Sequence, residues 1–487
     1  MISIIMPVYN TEAYLQEAVE SIIGQSLPFR ENIMLYLLDD ASTDDSLAVC
    51  RDYERQHPEN IKVVHFDENQ GVSAVRNFGL SLCREHTGTI VGFVDSDDRL
   101  HRDALKRVED FFDGHRDVNM AVAEIYFFGA KEGSHKLNWR FDEREVVHIL
   151  EDYTYPQYYI GGAFFQQPAW EKLSFDETMN FWEDALAVNQ VILAEEKYGL
   201  IKDAVYYYRK REDESSLVDS AWHDRGRYIP FLDHGYLRLM DYCKKEKRRL
   251  LPYIQFVVVY HMRLFMVKSR TEVVHELMDN EDLAIFRKKL RKILRRIKTD
   301  VIVHIPTTLP VVEAMLSIRK GKKVRARRTY TEDDCIFSYR GYEFTRMSER
   351  SVYLSGIVEK PEERRGMWRG RFNTPIFQMA KEDHIFAEHN GVRVDSIRCR
   401  CQRELYILGE KMRNYRYAGF MIAIPEEWES ARFGIHTKGI DIMLNEVVFA
   451  EVLERIESRK REEEEGEEDG TRLYTYAQGD SCGTDCT

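Results

Sequence analysis

The 487 residues carry 70 Lys and Arg against 83 Asp and Glu, a formal charge of −13, with 44% hydrophobic and 12% aromatic side chains. A chain this apolar folds, and at roughly 150 residues per domain it is expected to form about three units. The acidic balance excludes a surface that attracts nucleic acid over its whole extent, and eight cysteines in this length exclude a disulfide-dense secreted scaffold.

Met1 leads directly into an apolar strand pattern, with no basic n-region or small-residue cleavage site, so a cytoplasmic protein is expected. Apolar, β-rich runs begin near Ile2, Ile33, Ile61, Thr89 and Asn119, and each interval holds one helical pattern. That is the rhythm of βαβ units on a parallel sheet. In the first interval Thr11 is a plausible N-cap, and Leu15, Ala18, Val19, Ile22 and Ile23 recur at helical spacing, enough to bury one face. Residues 61–66 and 89–94 read as inner strands covered on both faces.

Residues 222–326 turn helical, with basic stripes at 244–249 and 287–296. The most apolar part, 250–266, contains Pro252, Gln255, His261 and Arg263 and falls short of the roughly 20 apolar residues of a membrane span. From 334 to 450 the alternation has period two, in Ile397, Cys399 and Cys401, in Phe420, Ile422 and Ile424, and in Ile440, Ile442 and Leu444. A small antiparallel β-sandwich or barrel fits this pattern. From Arg459 onward the like-charged acidic runs 462–465 and 467–469 are expected to stay solvated and disordered. The expected division is 1–220 catalytic, 221–330 helical, 331–455 β-rich and 456–487 acidic tail.

In an open parallel sheet, ligands sit beyond the carboxyl ends of the strands. The residues there are Pro7, Val8, Tyr9 and Asn10; Asp39, Asp40, Ala41 and Ser42; Asn69, Gln70 and Gly71; and Asp95, Ser96, Asp97 and Asp98. Neither a G-x-G-x-x-G after the first strand nor a G-x-x-x-x-G-K-[ST] accompanies them, so acids rather than a phosphate loop define this edge. Magnesium or manganese suits carboxylate ligands, and a nucleoside diphosphate can complete the shell, which makes Asp95-Ser96-Asp97 a candidate D-x-D metal site. Capping of the following helix is the plainer alternative.

The segments SIIMPVYN at 3–10, LLDDASTD at 37–44, NQGVSAVRNFGL at 69–80 and FVDSDDRL at 93–100 resemble, in order and spacing, the inverting family 2 glycosyltransferases, which have the GT-A fold. The resemblance implies that Tyr9 stacks on the donor base, that Asp40 pairs with its pyrimidine edge, and that Arg76 helps at the phosphates. Pro7 and Asn69 belong to the same donor site, and Asp97, assisted by Asp95, holds the metal. In Phe181, Trp182, Glu183 and Asp184 the acidic pair is similar to the family's, whose second member, here Asp184, takes the acceptor proton. The aromatic pair before it suits an acceptor wall. The competing reading has both acids complementing a helix N-terminus.

Tyr206 to Arg211, followed by Ser215 and Ser216, looks like the loop that in relatives closes on the donor diphosphate, with Arg209 and Arg211 as its cations. A surface strand ending in a charged turn is the alternative. Gly161 and Gly162 suit either close approach of an acceptor sugar or a plain turn. The stretch 252–264 is similar to the region that follows the transferase domain in enzymes building teichoic-acid and capsular polymers. The polymerising phosphotransferase module of their fused relatives is expected to be absent. Zinc at Cys399, Cys401, Cys482 and Cys486 is disfavoured, because two lie in an alternating strand and two in the tail.

Together these readings, with the resemblance, give the expectation of a metal-dependent glycosyltransferase that transfers a hexosyl group from a UDP-sugar. Its acceptor is expected to be a hydroxyl of a cell-envelope glycan or polyol-phosphate polymer, with peripheral contact to an anionic membrane and no nucleic-acid partner. A nucleotidyltransferase would want a glycine-rich loop where this chain has residues 7–14. A carbohydrate-binding scaffold with a retired transferase domain would have lost Asp97 or Asp184, and both are present.

Overall fold

The five anticipated strands form at β1 (Ile2–Val8), β2 (Ile33–Asp39), β3 (Ile61–His65), β4 (Ile90–Phe93) and, after the short β5 (Arg99–Leu100), β6 (Met120–Gly129). With β7 (Gly133–Ser134), β8 (Val146–His148), β9 (Ala163–Phe165) and β10 (Lys197–Lys210), they make one ten-stranded sheet of order β3-β2-β1-β4-β9-β6-β10-β5, β7 lying on β6 and β8 on β10. This computed structural model describes residues 1–84, 90–211, 221–268, 272–357, 367–372 and 377–468.

Pairing is parallel for β1 with β2 and β4, for β2 with β3 and for β6 with β10, while β9 runs antiparallel between β4 and β6. The carboxyl ends of β1 to β4 therefore share one edge. The helix Glu12–Ile23 buries Leu15, Ala18, Val19 and Ile22, as its spacing required. Thr11 stands at its N-cap position, but its hydroxyl donates to Ser96 Oγ at 3.0 Å instead of capping the helix. One expectation is corrected: β3 is an edge strand, with alternating burial and Lys62 exposed, because only β2 flanks it.

The chain divides into two compact units, Met1–His261 with Leu277–Ile293, and Met262–Glu276 with Leu294–Thr487. Residues 221–330 are thus shared between the two. In the second unit short antiparallel sheets replace the parallel one, for example Arg327–Tyr330, Cys335–Tyr339 and Tyr342–Arg346, and Val392–Asp395, His384–His389, Ser430–Thr437 and Ile440–Val448. Phe337, Trp368, Phe420, Phe433, Ile435 and Leu444 fill its core.

The acidic run was expected to be disordered from residue 459. Instead, the helix Phe449–Glu468 carries its first part, since Glu, Lys and Arg are strong helix formers that extend a helix already begun. Residues 469–487, including Cys482 and Cys486, lie outside the described residues. No helix among the described residues is long and apolar enough to cross a membrane.

Candidate active site

At the carboxyl end of β4 the chain turns through Asp95, Ser96, Asp97 and Asp98, and β10 supplies the groups that hold this turn. The Tyr206 hydroxyl donates to Asp98 Oδ2 at 2.6 Å and accepts from the Asp95 amide at 3.2 Å. The Arg209 amide donates to Asp98 Oδ1 at 2.7 Å, and its Nε to the Asp97 carbonyl at 2.8 Å. The Arg209 guanidinium pairs with Glu17 and lies 4.8 Å from the Tyr14 ring and 4.3 Å from the Phe128 ring. Burial, reinforced by the charges of Asp97 and Asp95, pushes the Asp98 carboxyl well above its ordinary range. Asp98 is thus the buried anchor of the turn, a role that its sequence position did not reveal.

Arg211 reaches Asp97 Oδ2 at 2.6 Å through Nη2 and at 3.0 Å through Nε. On the other side Arg76 bridges two acids, Asp95 Oδ1 at 3.0 Å and Glu183 Oε1 at 3.2 Å. Its side chain is only 7% exposed. Burial alone would lower its pKa, but the charges of Asp95, Glu183 and Asp184 together hold it above the ordinary value. Arg76 therefore ties the D-x-D turn to the acidic pair, reaching Glu183 across 107 residues of sequence.

Asp184 is half-buried at the start of the helix Glu183–Glu195, with Oδ1 accepting from the Ala185 amide at 2.6 Å. Burial raises its pKa to about 7, the Glu183 charge adding to the effect and Arg76 opposing it. A carboxyl poised there can take a proton from a hydroxyl near neutral pH. The preceding Trp182 is left-handed, at φ 64°. An L-residue pays for this conformation, and here the indole is locked against Phe231, Tyr236 and His261 with ring separations of 5.4 to 5.6 Å. Trp182 is 7% exposed, so it braces the helix start and cannot be the acceptor wall anticipated for it. Phe181 packs on Phe231 at 4.8 Å and stays half-buried.

On the donor side Tyr9 is 49% exposed at the end of β1, an open ring beside half-buried Pro7. Asp39 points inward to His65 at 2.7 Å. Asp40 is buried, and its carboxylate accepts from the amides of Gln70 at 2.6 Å and Gly71 at 2.9 Å. Asn69 Nδ2 donates to the Asp40 carbonyl at 3.2 Å. These bonds staple the 69–71 turn to β2, and a base edge would have only the remaining lone pairs of Asp40.

Two expectations change. Residues 206–210 form the end of strand β10 in register with β6, and Tyr206 is fully buried, so this part is no closing loop; Ser215 and Ser216 lie outside the described residues. Gly161 and Gly162 serve Tyr206, since a Cβ at 161 would come within 2.9 Å of its hydroxyl and one at 162 within 3.0 Å of its Cβ, and Gly162 has φ +73°.

Among the described residues no group of three or more His, Cys, Asp or Glu side chains forms a metal cage. The donor chemistry nonetheless fits a hard cation. Arg211 engages only Oδ2 of Asp97, and Arg76 only Oδ1 of Asp95, in the contacts above. Carboxylate oxygens are the ligand type that magnesium and manganese prefer.

An open, mostly parallel sheet with acids at the end of β4, tied through Arg76 to a second acid pair, is the arrangement of the GT-A fold. Residues 3–173 match the family described as Glycosyl transferase family 2. Over 459 residues the chain is 34% identical to the minor teichoic acid biosynthesis protein GgaA of Bacillus subtilis, covering 94% of this chain and 99% of that one. It is 30% identical to GgaB of the same organism, over 87% of this chain and 46% of that one. The chain belongs to glycosyl transferase family 2, among the glycosyltransferases of teichoic acid biosynthesis. Its fold is similar to that of S. aureus TarS, with TM-score 0.55 and 16% identity over 91% of this chain and 77% of that one. A complex of TarS residues 1–349 with UDP-GlcNAc gives TM-score 0.52 and 18% identity over 70% of this chain and 97% of that one.

Proposed function

We propose that this chain moves a hexosyl group from a UDP-sugar to a hydroxyl of a polyol-phosphate polymer with inversion at the anomeric carbon. The observation that carries this reading is Asp184, raised to about 7 beside Glu183, which Arg76 ties to Asp95 at the end of β4. The acceptor oxygen attacks the anomeric carbon as its bond to the diphosphate breaks, and Asp184 takes the hydroxyl proton. Tyr9 offers its exposed ring to the donor base. Arg211, and behind it Arg209, bring positive charge to the side where the diphosphate leaves.

Asp95 and Asp97 would hold magnesium or manganese, which when bound supplies further charge to the leaving group. The UDP-GlcNAc complex of TarS supports a uridine donor, and the kinship with GgaA supports a teichoic-acid acceptor. The basic residues at 244–249 and 287–296 support work in the cytoplasm with peripheral contact to an anionic membrane face.

The test is a screen of UDP-sugars for UDP release with a polyol-phosphate polymer as acceptor, run with wild type and Asp97→Ala. One UDP-sugar should turn over in the wild type, with loss in the variant and an inverted anomer in the product. Full activity of Asp97→Ala, or transfer with retention, would overturn the reading.

A further inference from the structure

In the second unit, residues 319–328 read RKGKKVRARR, with seven basic side chains and no acid. This run is more than a flat solvated face. It leaves the helix Leu309–Lys320, enters the strand Arg327–Tyr330, and forms one wall of a cavity of about 350 Å³. Among the described residues, Lys323, Arg325, Arg328 and Arg413 line the cavity with one carboxylate, Glu313, and Gln378 as a further polar group.

Three of the cations, Arg325, Arg328 and Arg413, are held by neighbouring groups. Glu313 and Arg413 are each 3% exposed and pair at 2.8 Å. Glu313 Oε2 also lies 3.4 Å from Arg325, and its Oε1 accepts from the Ala326 amide at 2.8 Å. Nη2 of Arg325 and Nη1 of Arg413 both donate to the Met412 carbonyl, at 2.9 and 3.0 Å. The Arg328 guanidinium lies 4.7 Å from the centre of the Phe377 ring and 5.9 Å from that of Phe337. One carboxylate cannot balance four cations. Accordingly, burial lowers the Arg325 pKa and the charges of Arg413 and Arg328 add to this, against the pull of Glu313. Such a pocket gains by taking in an anion with several acceptor oxygens, and planar, pre-oriented guanidinium groups suit a phosphate.

We propose that this cavity binds a backbone phosphate of the acceptor polymer, a second site for the polyanion within the second unit; the choice of polymer rests on the function proposed above. A concave pocket with a buried Glu–Arg pair at its base fits a phosphodiester entering side-on. A membrane-docking stripe would instead present its cations on a flat or convex face beside exposed apolar residues.

The test is binding of a synthetic oligo(glycerol phosphate) to the full chain without nucleotide, comparing wild type with K323Q/R328Q, both exposed positions, with the melting temperature of each checked first. Affinity should fall about tenfold, and the slope of log K against log salt should shrink by about two. UDP affinity and melting temperature should hold, and oligogalacturonate of equal charge should bind more weakly than the phosphate oligomer.

Unchanged oligomer affinity in the double variant, or equal binding of oligogalacturonate, overturns the site. So does an effect of K323Q/R328Q on binding to phosphatidylglycerol vesicles with none on the oligomer, which would assign the patch to a membrane. Because no turnover is measured, failure here leaves the transfer reaction standing. Conversely, a chain that binds the oligomer but releases UDP from no donor retains the cavity and loses the proposed reaction.

Discussion

Tyr206 and Asp98 share a 2.6 Å hydrogen bond across 108 residues of sequence, joining the end of β10 to the acidic turn after β4. The same phenol oxygen accepts from the Asp95 amide, so one buried side chain sets the position of two of the turn's acids. Tyr206→Phe keeps the ring and removes both bonds. Unfolding in urea should show a loss of about 1 to 3 kcal/mol, and UDP affinity should weaken because the turn loosens. Wild-type stability in this variant would show that the bond holds nothing in place.

Asp184 gives a pH signature in two observables. Its pKa lies near 7 in the folded protein against an ordinary 3.8, so between those values the folded state holds a proton that the unfolded chain has released. This group's contribution to stability is therefore full below about 3.8 and lost as the pH rises through about 7. Catalysis runs the other way, because the base form appears only above about 7. The kcat/KM of the wild type should rise about tenfold per pH unit below 7 and level off above it. Asp184→Asn should cut turnover by about 100-fold or more with UDP affinity retained, and its stability should depend less on pH between 4 and 7. A wild-type rate that is flat through pH 7 would remove Asp184 from the proton transfer.

The left-handed Trp182 separates strain from packing. Trp182→Ala forfeits the contacts with Phe231, Tyr236 and His261 and keeps an unfavourable backbone, at a cost of about 3 to 5 kcal/mol. Trp182→Gly loses the same contacts but relieves the backbone, so it should be more stable than the alanine variant by about 1 kcal/mol. Paired denaturation curves settle the order. An alanine variant as stable as the glycine variant would mean that the αL geometry is not held in solution.

Arg76 neutralises acids on two elements at once, so its removal should be costly. Arg76→Met leaves Asp95 and Glu183 without their buried partner, and about 3 to 5 kcal/mol of stability should go. Arg76→Lys keeps one charge without the fork that spans both acids, and it should fall between the two in melting temperature. If lysine restores wild-type melting and turnover, the bidentate bridge is not what matters.

The first 130 residues were legible because β1 and β2 are buried along nearly their whole length, and unbroken apolar runs mark such strands. The acids at strand ends were legible for a topological reason, since parallel strands present their carboxyl termini to one edge. What could not be read were partnerships across long sequence separations. Nothing local distinguishes Asp98 from Asp97, or shows that Tyr206 points inward to meet it. A strand at the end of β10 was only one of two readings, because the register shifts between Ile201 and Val205 and breaks the periodicity before its polar end. Gly161 and Gly162 fitted a close sugar approach or a plain turn equally well in sequence, whereas in the fold the neighbouring Tyr206 side chain needs the space. Arg76 was assigned to the donor phosphates, while in the fold its charge is shared by two carboxylates of the protein.

The order in which the chain visits its two units bears on how it is made. Residues 262–276 enter the second unit before Leu277–Ile293 return to the first. Phe286, Leu290 and Ile293 in that returning segment are fully buried, and Phe286 lies 6.1 Å from Tyr228. During synthesis, which generally folds N-terminal parts first, the nascent first unit exposes this apolar seam until residue 293 has left the ribosome. Translation pausing or chaperone binding between residues 261 and 293 would act on an almost finished transferase unit waiting for its last helix.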